Sequence, residues 1–385
     1  MKELLEIHIL QNFVPSNLNR DDTGSPKDCM FGGSRRARIS SQALKRAMRK
    51  YVRDNQLLPD GHLAERSRRF NQTIATNLVS RGRDAETAAK VVEAALGGMG
   101  LKLDEGKTEY LIFLGSSELA RITDLIDENW DGLSSVAVDK KAKKKDLAAA
   151  VPDELKKALN SAIRDRGEGG DAVDLALFGR MLADKPGKNQ DAACQVAHAI
   201  STHRVEKEFD YYTAVDDLLD PSEDSGAGML GTVEYNSACF YRYLAIDLDQ
   251  LKANLAGDDE LLFKGLDAFL RAAVLAIPTG KQNSFAAHNP PSFIALRHRK
   301  NGPPINLANA FEEPVWLGGR SKAKSLSAGS AEKLAAHWES LDDFYGNGGS
   351  AAYWSIDKDA SFGKGESASS LDELLGKVAS WTKGA

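Results

Sequence analysis

A single block of positive charge constrains this chain more than any other feature of its sequence. Between Cys29 and Arg53 there are eight arginines and lysines and no acid, although the whole chain has a formal net charge of -5. A protein that is acidic overall and gathers bases in one stretch builds a positive site, whose usual partner is a phosphate backbone. The eight bases are Arg35, Arg36, Arg38, Lys45, Arg46, Arg49, Lys50 and Arg53.

The second half of this block predicts an amphipathic helix. Ser40 offers an N-cap oxygen, and apolar residues follow at helical spacing from Leu44 to Val52. Like charges at this spacing destabilise a helix slightly, so the polar side favours an anion-binding face; a solvated charged helix is the alternative. That side carries a row of Gln42, Lys45 and Arg49, with Arg46, Lys50 and Arg53 beside it.

The first half of the block predicts a strand and a turn. Residues Arg36 to Ser40 alternate with period two, as a short strand does. Gly32 and Gly33 permit a turn that other residues resist, and they would let a phosphate approach the backbone closely. Because strand, turn and helix direct donors to one place, the block is interpreted as a nucleic-acid-binding site.

Composition bounds the remaining possibilities. The chain has 385 residues, of which 42% are hydrophobic and 27% charged, so a globular protein of two or three domains, or of one domain with large insertions, is expected. The first residues read as a strand rather than a signal peptide, and no apolar run approaches a membrane span. Three cysteines without metal-site spacing suit a reducing cytoplasm.

The order of periodic segments predicts a helical insertion within a sheet domain. Alternation over residues 5–13 gives a first strand, and a loop from Pro15 to Lys27 carries the isolated bases Arg20 and Lys27. Residues 62–166 are mainly helical, and alternation resumes over Asp171 to Phe178 as a second core strand. The expected helices of the insertion are His62 to Val79, Ala85 to Leu96, Ser117 to Trp130 and Asp153 to Arg164. A lysine cluster from Lys140 to Lys145 is either solvated or in contact with nucleic acid.

Residues 202–236 predict an extended hairpin with an acidic tip between Asp216 and Gly228. After it come a strand at Phe240 to Leu248, a helix at Asp259 to Leu275 and a turn at Pro278 to Gln282 that carries Lys281.

Signatures of catalysis and of bound metals or cofactors are missing from the sequence. There is no Walker loop, Rossmann fingerprint, nucleophile elbow or paired-cysteine zinc site, so neither a cofactor nor a metal is expected. Asp21 and Asp22 lie beside the basic block, where two acids in such a loop are more often turn-formers than a two-metal site.

Several ordered motifs resemble the CasC family, the backbone subunits of the type I-E CRISPR Cascade. The longest is NRDD…GG…RR-x-R-I-SSQ-x-LKRAMRK at residues 19–50, and the resemblance covers most of the chain. Shorter matches are GRM (179–181), AHAI-x-TH (197–203), TAVDDL (213–218), LGT (230–232), FYRY (240–243) and ANAFE (308–312).

The resemblance implies an α+β fold shaped like a hand. The palm is a modified RRM (ferredoxin-like) sheet, the helical insertion forms fingers, and the extended β-hairpin forms a thumb. The implied division is residues 1–60, 171–201 and 237–385 for the palm, 61–170 for the fingers and 202–236 for the thumb.

The resemblance also implies a role in antiviral defence. Copies of the subunit would form a helical filament along a CRISPR RNA guide, flip guide bases at intervals and present the others to target DNA. Further partners would be the large, small, 5′-handle-binding and RNA-processing subunits of Cascade. Guide contacts carried over by position are Arg20, Lys27, Arg38, Ser40, Gln42, Lys45 and Arg49, with Met181 and Leu230 as base wedges and Tyr211 and Tyr212 in the thumb. From the basic block and the turn, Arg35, Arg36, Arg46, Lys281 and Gln282 are added to the RNA-binding set.

Two other functions stay open at this point. Related backbone subunits of other CRISPR types cut RNA with a loop aspartate, for which Asp21 or Asp22 would be the candidates. A general single-strand RNA-binding protein acting as a monomer is the third reading. A non-catalytic scaffold is favoured over both, and catalysis has no support in the sequence. Contacts to the backbone rather than to base edges suit a subunit that holds any guide.

Overall fold

The computed structural model describes residues 3–101, 103–137, 148–214, 229–316, 325–346, 349–357 and 362–382. The strands are β1 Glu3–Ser16, β2 Asp28–Phe31, β3 Ser34–Ile39, β4 Ala64–Ser67, β5 Leu103–Asp104, β6 Lys107–Thr108, β7 Ile112–Gly115, β8 Cys194–Val196, β9 Ala199–Ser201, β10 Glu208–Ala214, β11 Met229–Asp247, β12 Phe293–Lys300, β13 Gly349–Ser355 and β14 Glu366–Ser367. The helices are α1 Ser41–Asp54, α2 Phe70–Ser80, α3 Ala85–Gly98, α4 Ser116–Glu128, α5 Trp130–Ala137, α6 Asp153–Ala162, α7 Val173–Phe178, α8 Leu248–Asn254, α9 Asp259–Leu275, α10 Gln282–Phe285, α11 Leu326–Tyr345 and α12 Leu371–Thr382. Within these ranges, none of the helices has the length and apolar character needed to span a membrane.

The chain divides into two compact units. The sheet unit comprises residues 1–55, 194–248 and 266–385, and the insertion unit comprises residues 56–193 and 249–265. These boundaries come from contacts within each unit, whereas the division into palm, fingers and thumb follows the resemblance and stays a prediction.

The sheet unit has the strand order of a ferredoxin-like fold. Its central strand β1 pairs antiparallel with β11 on one side and β12 on the other, and β11 pairs antiparallel with β8. With α1 after β1 and α9 between β11 and β12, the order β12–β1–β11–β8 corresponds to 4-1-3-2 of a βαββαβ unit. The strand pairs extend outward to β13 and β14 at one edge and to β9, β3 and β2 at the other. The α+β fold with an RRM-like palm is therefore confirmed.

Both faces of the central sheet are buried. Ile9 lies opposite Arg242 in the β1–β11 register, and the Arg242 guanidinium donates to the carbonyl of Ala273 in α9, so this face packs on that helix. On the other face Tyr241 contacts Phe311 with ring centroids 5.5 Å apart, and His8 lies against Trp338 of α11.

This second face is the one on which an ordinary RRM stacks nucleobases on exposed aromatic rings. Here the rings of His8, Tyr241 and Tyr243 are at most 6% exposed, beneath α11 and the 3-10 turn at Leu307–Phe311. Burial, together with the charges of Arg297 and Arg299, lowers the pKa of His8 to about 3. Any nucleic-acid contact made by this palm therefore uses other surfaces.

The insertion unit has its own apolar core, in which Ile74, Val91, Ile122 and Leu159 are at most 1% exposed. Three of its expected helices are confirmed as α3, α4 and α6 within one to two residues at each end. The helix expected from His62 is wrong in its first part, because Ala64–Ser67 forms β4 against β7 before α2 begins at Phe70. The lysine cluster at residues 140–145 lies outside the described residues.

The strand expected at Asp171 to Phe178 is wrong, because Val173–Phe178 forms helix α7. Val173 through Leu177 are all buried, and a short segment buried on every side has no periodicity that separates strand from helix. The buried Asp174 has a partner within the insertion unit, since its Oδ1 accepts a hydrogen bond of 2.7 Å from the backbone N–H of Ala64. The remaining expected elements of the sheet unit are confirmed, among them β1, β3, α1, α9 and the hairpin limbs β10 and β11.

Candidate nucleic-acid interface

Helix α1 presents a basic face above a buried one, as the sequence predicts. Ser40 is its N-cap and accepts a 3.3 Å hydrogen bond from Ala43 N–H. Leu44, Ala47, Met48 and Val52 are buried, and the first turn contains no acid. Gln42 and Arg46 are exposed, and Lys45 and Arg49 are half-buried. The polar row thus lies on the accessible side of a helix whose other side is fixed in the core.

The loop after β1 is tied to the start of this helix. Asn19 Oδ1 accepts a hydrogen bond of 2.8 Å from Ser40 N–H, and the carbonyl of Asn19 accepts another from Lys27 N–H at 2.9 Å. The carbonyl of Lys27 in turn accepts from Arg38 N–H at 2.9 Å. These bonds place the exposed Arg20 and half-buried Lys27 beside the N-terminus of α1.

The turn at residues 278–282 joins the same surface. A Cβ on Gly280 would lie 2.4 Å from the carbonyl oxygen of Leu18, so only glycine permits this close approach. Lys281 adopts a left-handed backbone with φ 51° and is half-exposed. The side-chain amide of Gln282 donates to the carbonyls of Pro278 and Ala287. Lys281 is thereby brought to the basic loop, while Gln282 stabilises its own turn.

Arg38 is held by two contacts. Its Nε donates to the carbonyl of Asp28 at 3.1 Å, and its Nη1 lies 3.1 Å from Nδ1 of His198. Partial burial lowers the pKa of His198, and the positive charges of Arg38 and Lys27 lower it further. A neutral His198 accepts at Nδ1 from Arg38 and carries its proton on Nε2. The sequence analysis does not select His198 as a site residue, although it is in the AHAI motif. His198 directly precedes β9, and Ile200 of β9 lies opposite Arg38 of β3.

Arg36 lies outside the interface, contrary to the prediction. The residue is 0% exposed, and its guanidinium is surrounded by four backbone carbonyls. Its charge therefore stabilises the junction of distant segments and is withdrawn from any phosphate. The acceptors are Phe31 O at 3.3 Å, Ser201 O at 3.1 Å, Phe311 O at 2.8 Å and Glu312 O at 3.1 Å.

The glycine turn between β2 and β3 packs against Glu312, whose carbonyl also accepts from Arg36. Gly32 and Gly33 adopt positive φ, as the turn prediction requires. A Cβ on Gly32 would lie 1.7 Å from the carbonyl oxygen of Glu312. The close approach that Gly32 permits is thus made by the protein's own backbone and not by a phosphate. A Cβ on Gly33 would meet nothing within 4 Å, so the predicted approach of a phosphate remains a prediction there. Arg35, next in β3, is exposed and forms a 2.7 Å ion pair with Asp28.

Asp21 forms a turn within its own loop. Its Oδ1 accepts hydrogen bonds from the N–H and hydroxyl of Thr23 and from Ser25 N–H, at 3.0, 2.8 and 3.0 Å. These bonds, that from the Thr23 hydroxyl first, lower the pKa of Asp21. Asp22 is exposed. Across the part of the chain that the structure describes, no group of three or more His, Cys, Asp or Glu side chains is arranged to hold a metal ion.

Strands β10 and β11 form a two-stranded ribbon with apolar side chains in solvent. All seven residues of β10 are exposed, and Tyr211 and Leu230 are 64% and 58% exposed. Tyr212 lies directly over Gly231, where a Cβ would be 2.4 Å from its ring. The acidic tip lies outside the described residues. At the base, a groove is lined by Arg35, Arg204, Val205, Glu206 and Lys207. Arg204 is paired with Glu206 at 3.1 Å, and Lys207 lies 3.5 Å from Asp28 and 3.7 Å from Glu234.

Met181 belongs to the insertion unit and is 82% exposed. It follows Arg180, which forms a buried ion pair with Glu118. Thus both apolar residues expected at a base wedge, Met181 and Leu230, are exposed in the structure.

The fold places this chain among α+β proteins derived from the RRM. It has an RRM-like palm with a covered sheet face, a helical insertion and an exposed β-ribbon. The chain belongs to the CT1975-like protein family, whose model matches residues 5–381. A search of curated protein sequences finds no match.

Two solved structures are similar over almost the whole chain. One is a chain of a "CRISPR RNA-guided surveillance complex, pre-nicking", with 31% sequence identity and a TM-score of 0.83 over 98% of this chain and 99% of that one. The other is a chain of a "CRISPR RNA-guided surveillance complex", with 26% identity and a TM-score of 0.74 over 98% and 99%.

Proposed function

We propose that this chain is a non-catalytic RNA-binding scaffold, the backbone subunit of a cytoplasmic CRISPR surveillance complex of type I-E. Copies of it line a CRISPR RNA guide and present guide bases to target DNA. The observation that carries the proposal is the convergence of bases from three segments on one surface, in a chain that resembles surveillance-complex subunits along 98% of its length. Those bases are Arg20, Lys27, Arg38, Lys45, Arg46, Arg49 and Lys281.

The character of this surface suits a ligand of any sequence. Arginine and lysine contacts to phosphates fix the position of a strand without reading its bases. The sheet face that would stack bases in an ordinary RRM is closed by α11. Sequence recognition is then left to pairing between guide and target, as in other RNA-guided systems.

The β10–β11 ribbon favours an assembly over a monomer. An isolated two-stranded ribbon is marginally stable in water, and this one exposes Phe209, Tyr211, Met229 and Leu230 by 57–65%. These side chains need a surface to cover them, which the guide and an adjacent copy of this chain supply. Apolar side chains inserted at a guide base unstack it without reading it. The remaining partners are the large, small, 5′-handle-binding and RNA-processing subunits.

The test is co-expression of the tagged chain with a CRISPR array and the partner subunits. The scaffold predicts co-purified RNA of one defined length and capture of DNA complementary to the guide. A chain that purifies as a monomer without RNA would contradict it. Cleavage of complementary RNA that requires a divalent metal and is lost on Asp21→Ala or Asp22→Ala would instead establish the enzyme.

A further inference from the structure

A cavity lies at the outer edge of the sheet unit, between the carboxyl ends of β13 and β14. These two strands are parallel and pair at only two positions, of which the second joins Tyr353 to Ser367. Beyond it the chain leaves β14 for α12, while β13 continues to Ser355. The space between them has a volume of about 470 Å³, which is in the range of pockets that hold a ligand. Among the residues that line it are Trp354, Ser355, Asp357, Ser367, Ser369 and Glu373.

The lining of this cavity carries acid and no base. Asp357 and Glu373 contribute carboxylates, and none of the described residues that line the cavity is a lysine, arginine or histidine. Lys377 of α12 forms an ion pair with Glu366, which is outside the lining. Because carboxylates repel phosphate, the ligand that suits this cavity is a cation and not a nucleic acid.

Glu373 is fixed in place and in its ionised form. Its Oε2 accepts hydrogen bonds from the hydroxyl of Ser369 at 2.6 Å and from the N–H of Ser369 at 2.9 Å. These bonds, the one from the hydroxyl first, lower the pKa of Glu373. A carboxylate accepts about four hydrogen bonds, so Glu373 keeps its charge at neutral pH and has room for a further donor.

Aromatic and apolar side chains accompany the carboxylates. Trp354 is half-buried in the lining, whereas the ring of Tyr353 packs on Phe362 with centroids 5.8 Å apart. Ile356 follows in the same segment and is 66% exposed, although its N–H is bonded to the carbonyl of Ser292 at 2.9 Å. An indole ring beside carboxylates and an exposed apolar side chain is a composition typical of protein–protein interfaces.

We propose that this cavity receives an arginine side chain from a basic surface of a partner protein in the guide-bound complex. The inference rests on the proposed function, which supplies that complex. A planar guanidinium suits both parts of the lining, since it stacks on an indole ring and donates to a carboxylate. A metal ion does not suit it, because the described residues contain no group of three or more His, Cys, Asp or Glu side chains able to hold one.

The experiment begins with photo-crosslinking in the complex of this chain, its partner subunits and guide RNA. Benzoylphenylalanine in place of Ser367 should cross-link to one partner protein, at a peptide that contains arginine. Asp357→Asn with Glu373→Gln should weaken retention of that protein roughly tenfold or more, the effect of losing charge-assisted hydrogen bonds. Guide RNA and copy number should not change. The matched control is Asp267→Asn with Asp372→Asn, which removes the same charge from the sheet unit outside the lining.

Charge exchange then tests the contact itself. Glu373→Arg alone should release the partner protein, and glutamate in place of the cross-linked partner arginine should restore its retention. Thermal unfolding is measured on every variant, so that a loss of partner is separated from a loss of fold. Native mass spectrometry over a salt titration gives the retention of each subunit and of the guide.

Wild-type retention of every partner in the Asp357 and Glu373 double variant, or an equal loss in the control, would overturn the proposal. Cross-links to RNA, to DNA, to a second copy of this chain or to no molecule at all would overturn it as well. A cross-linked partner that charge exchange does not restore would exclude the arginine contact. Absence of guide RNA from the wild-type complex would instead refute the proposed function, which loss of one partner with the guide retained leaves intact.

Discussion

Asn19 and Ser40 join the two halves of the basic surface through one hydrogen bond, in which Asn19 Oδ1 accepts from Ser40 N–H at 2.8 Å. Ser40 is the N-cap of α1, so its own N–H receives no partner from the helix. The loop that carries Arg20 and Lys27 is thus positioned by the residue that begins the basic helix.

Replacing Asn19 separates stability from binding. Asn19→Ala leaves the N–H of Ser40 without its acceptor, and we expect the free energy of unfolding to fall by about 1–3 kcal/mol. Asn19→Asp keeps the acceptor, so stability should be retained, but the added negative charge should weaken guide binding. Chemical denaturation and guide titration of both variants are the measurement. Equal stability of the two variants would show that the bond to Ser40 is not needed.

The polar row of α1 should account for part of the salt dependence of guide binding. Lys45→Ala with Arg49→Ala should make the slope of log K against log salt shallower by about 1.4, from about 0.7 for each lost contact to a single strand. Lys50→Ala is the control on the same helix, because Lys50 lies beside the row of Gln42, Lys45 and Arg49 and not in it. An unchanged slope in the double variant would remove α1 from the interface.

Arg36 and Arg38 form a matched pair two residues apart in β3. Arg36→Met leaves four carbonyls without their donor, and we expect a loss of about 3 kcal/mol or more in unfolding free energy. Arg38→Met should change stability by less than about 1 kcal/mol and weaken guide binding instead. The reverse pattern in denaturation and binding assays would contradict these assignments.

Guide affinity should depend on His198 in weakly acidic solution. Partial burial, Arg38 and Lys27 lower its pKa in the free protein, and a phosphate brought to this surface would raise it again. Binding therefore takes up a proton, and affinity should rise as pH falls below 7 toward the lowered pKa. His198→Asn keeps an acceptor for Arg38 but cannot titrate, so this rise should be smaller. Equal pH profiles would exclude His198 from the interface.

Leu230 and Met229 test the ribbon. They are 58% and 57% exposed and, as neighbours in one strand, point to opposite faces. Leu230→Ala should reduce the distortion of the flipped guide base while assembly persists, whereas Met229→Ala should leave that base unchanged in chemical probing. Loss of assembly in Leu230→Ala would identify it as a packing residue.

How far the sequence predicts this structure depends on the range of the contacts involved. Helix α1 was predictable because its cap and apolar spacing are local. Arg36 and Arg38 have the same sequence signature, yet only Arg36 is buried, since the carbonyls of Phe311 and Glu312 that surround it lie 275 and 276 residues away. The role of Gly32 depends on Glu312 in the same way. The helix at Val173–Phe178 depends on Ala64, which is 110 residues from Asp174. The RRM-like palm was expected from the family resemblance and not from periodicity, and its 4-1-3-2 strand order is known only from the strand pairs.

The central claim is that copies of this chain assemble on a guide, and native mass spectrometry on guides of graded length tests it most directly. The array is altered to lengthen the guide in steps, and the complexes are weighed before and after ribonuclease treatment. A scaffold predicts several copies on one RNA, one more copy for each fixed increment of guide, and dissociation on ribonuclease or at high salt. A copy number that does not follow guide length, or a monomer without RNA, would contradict the account.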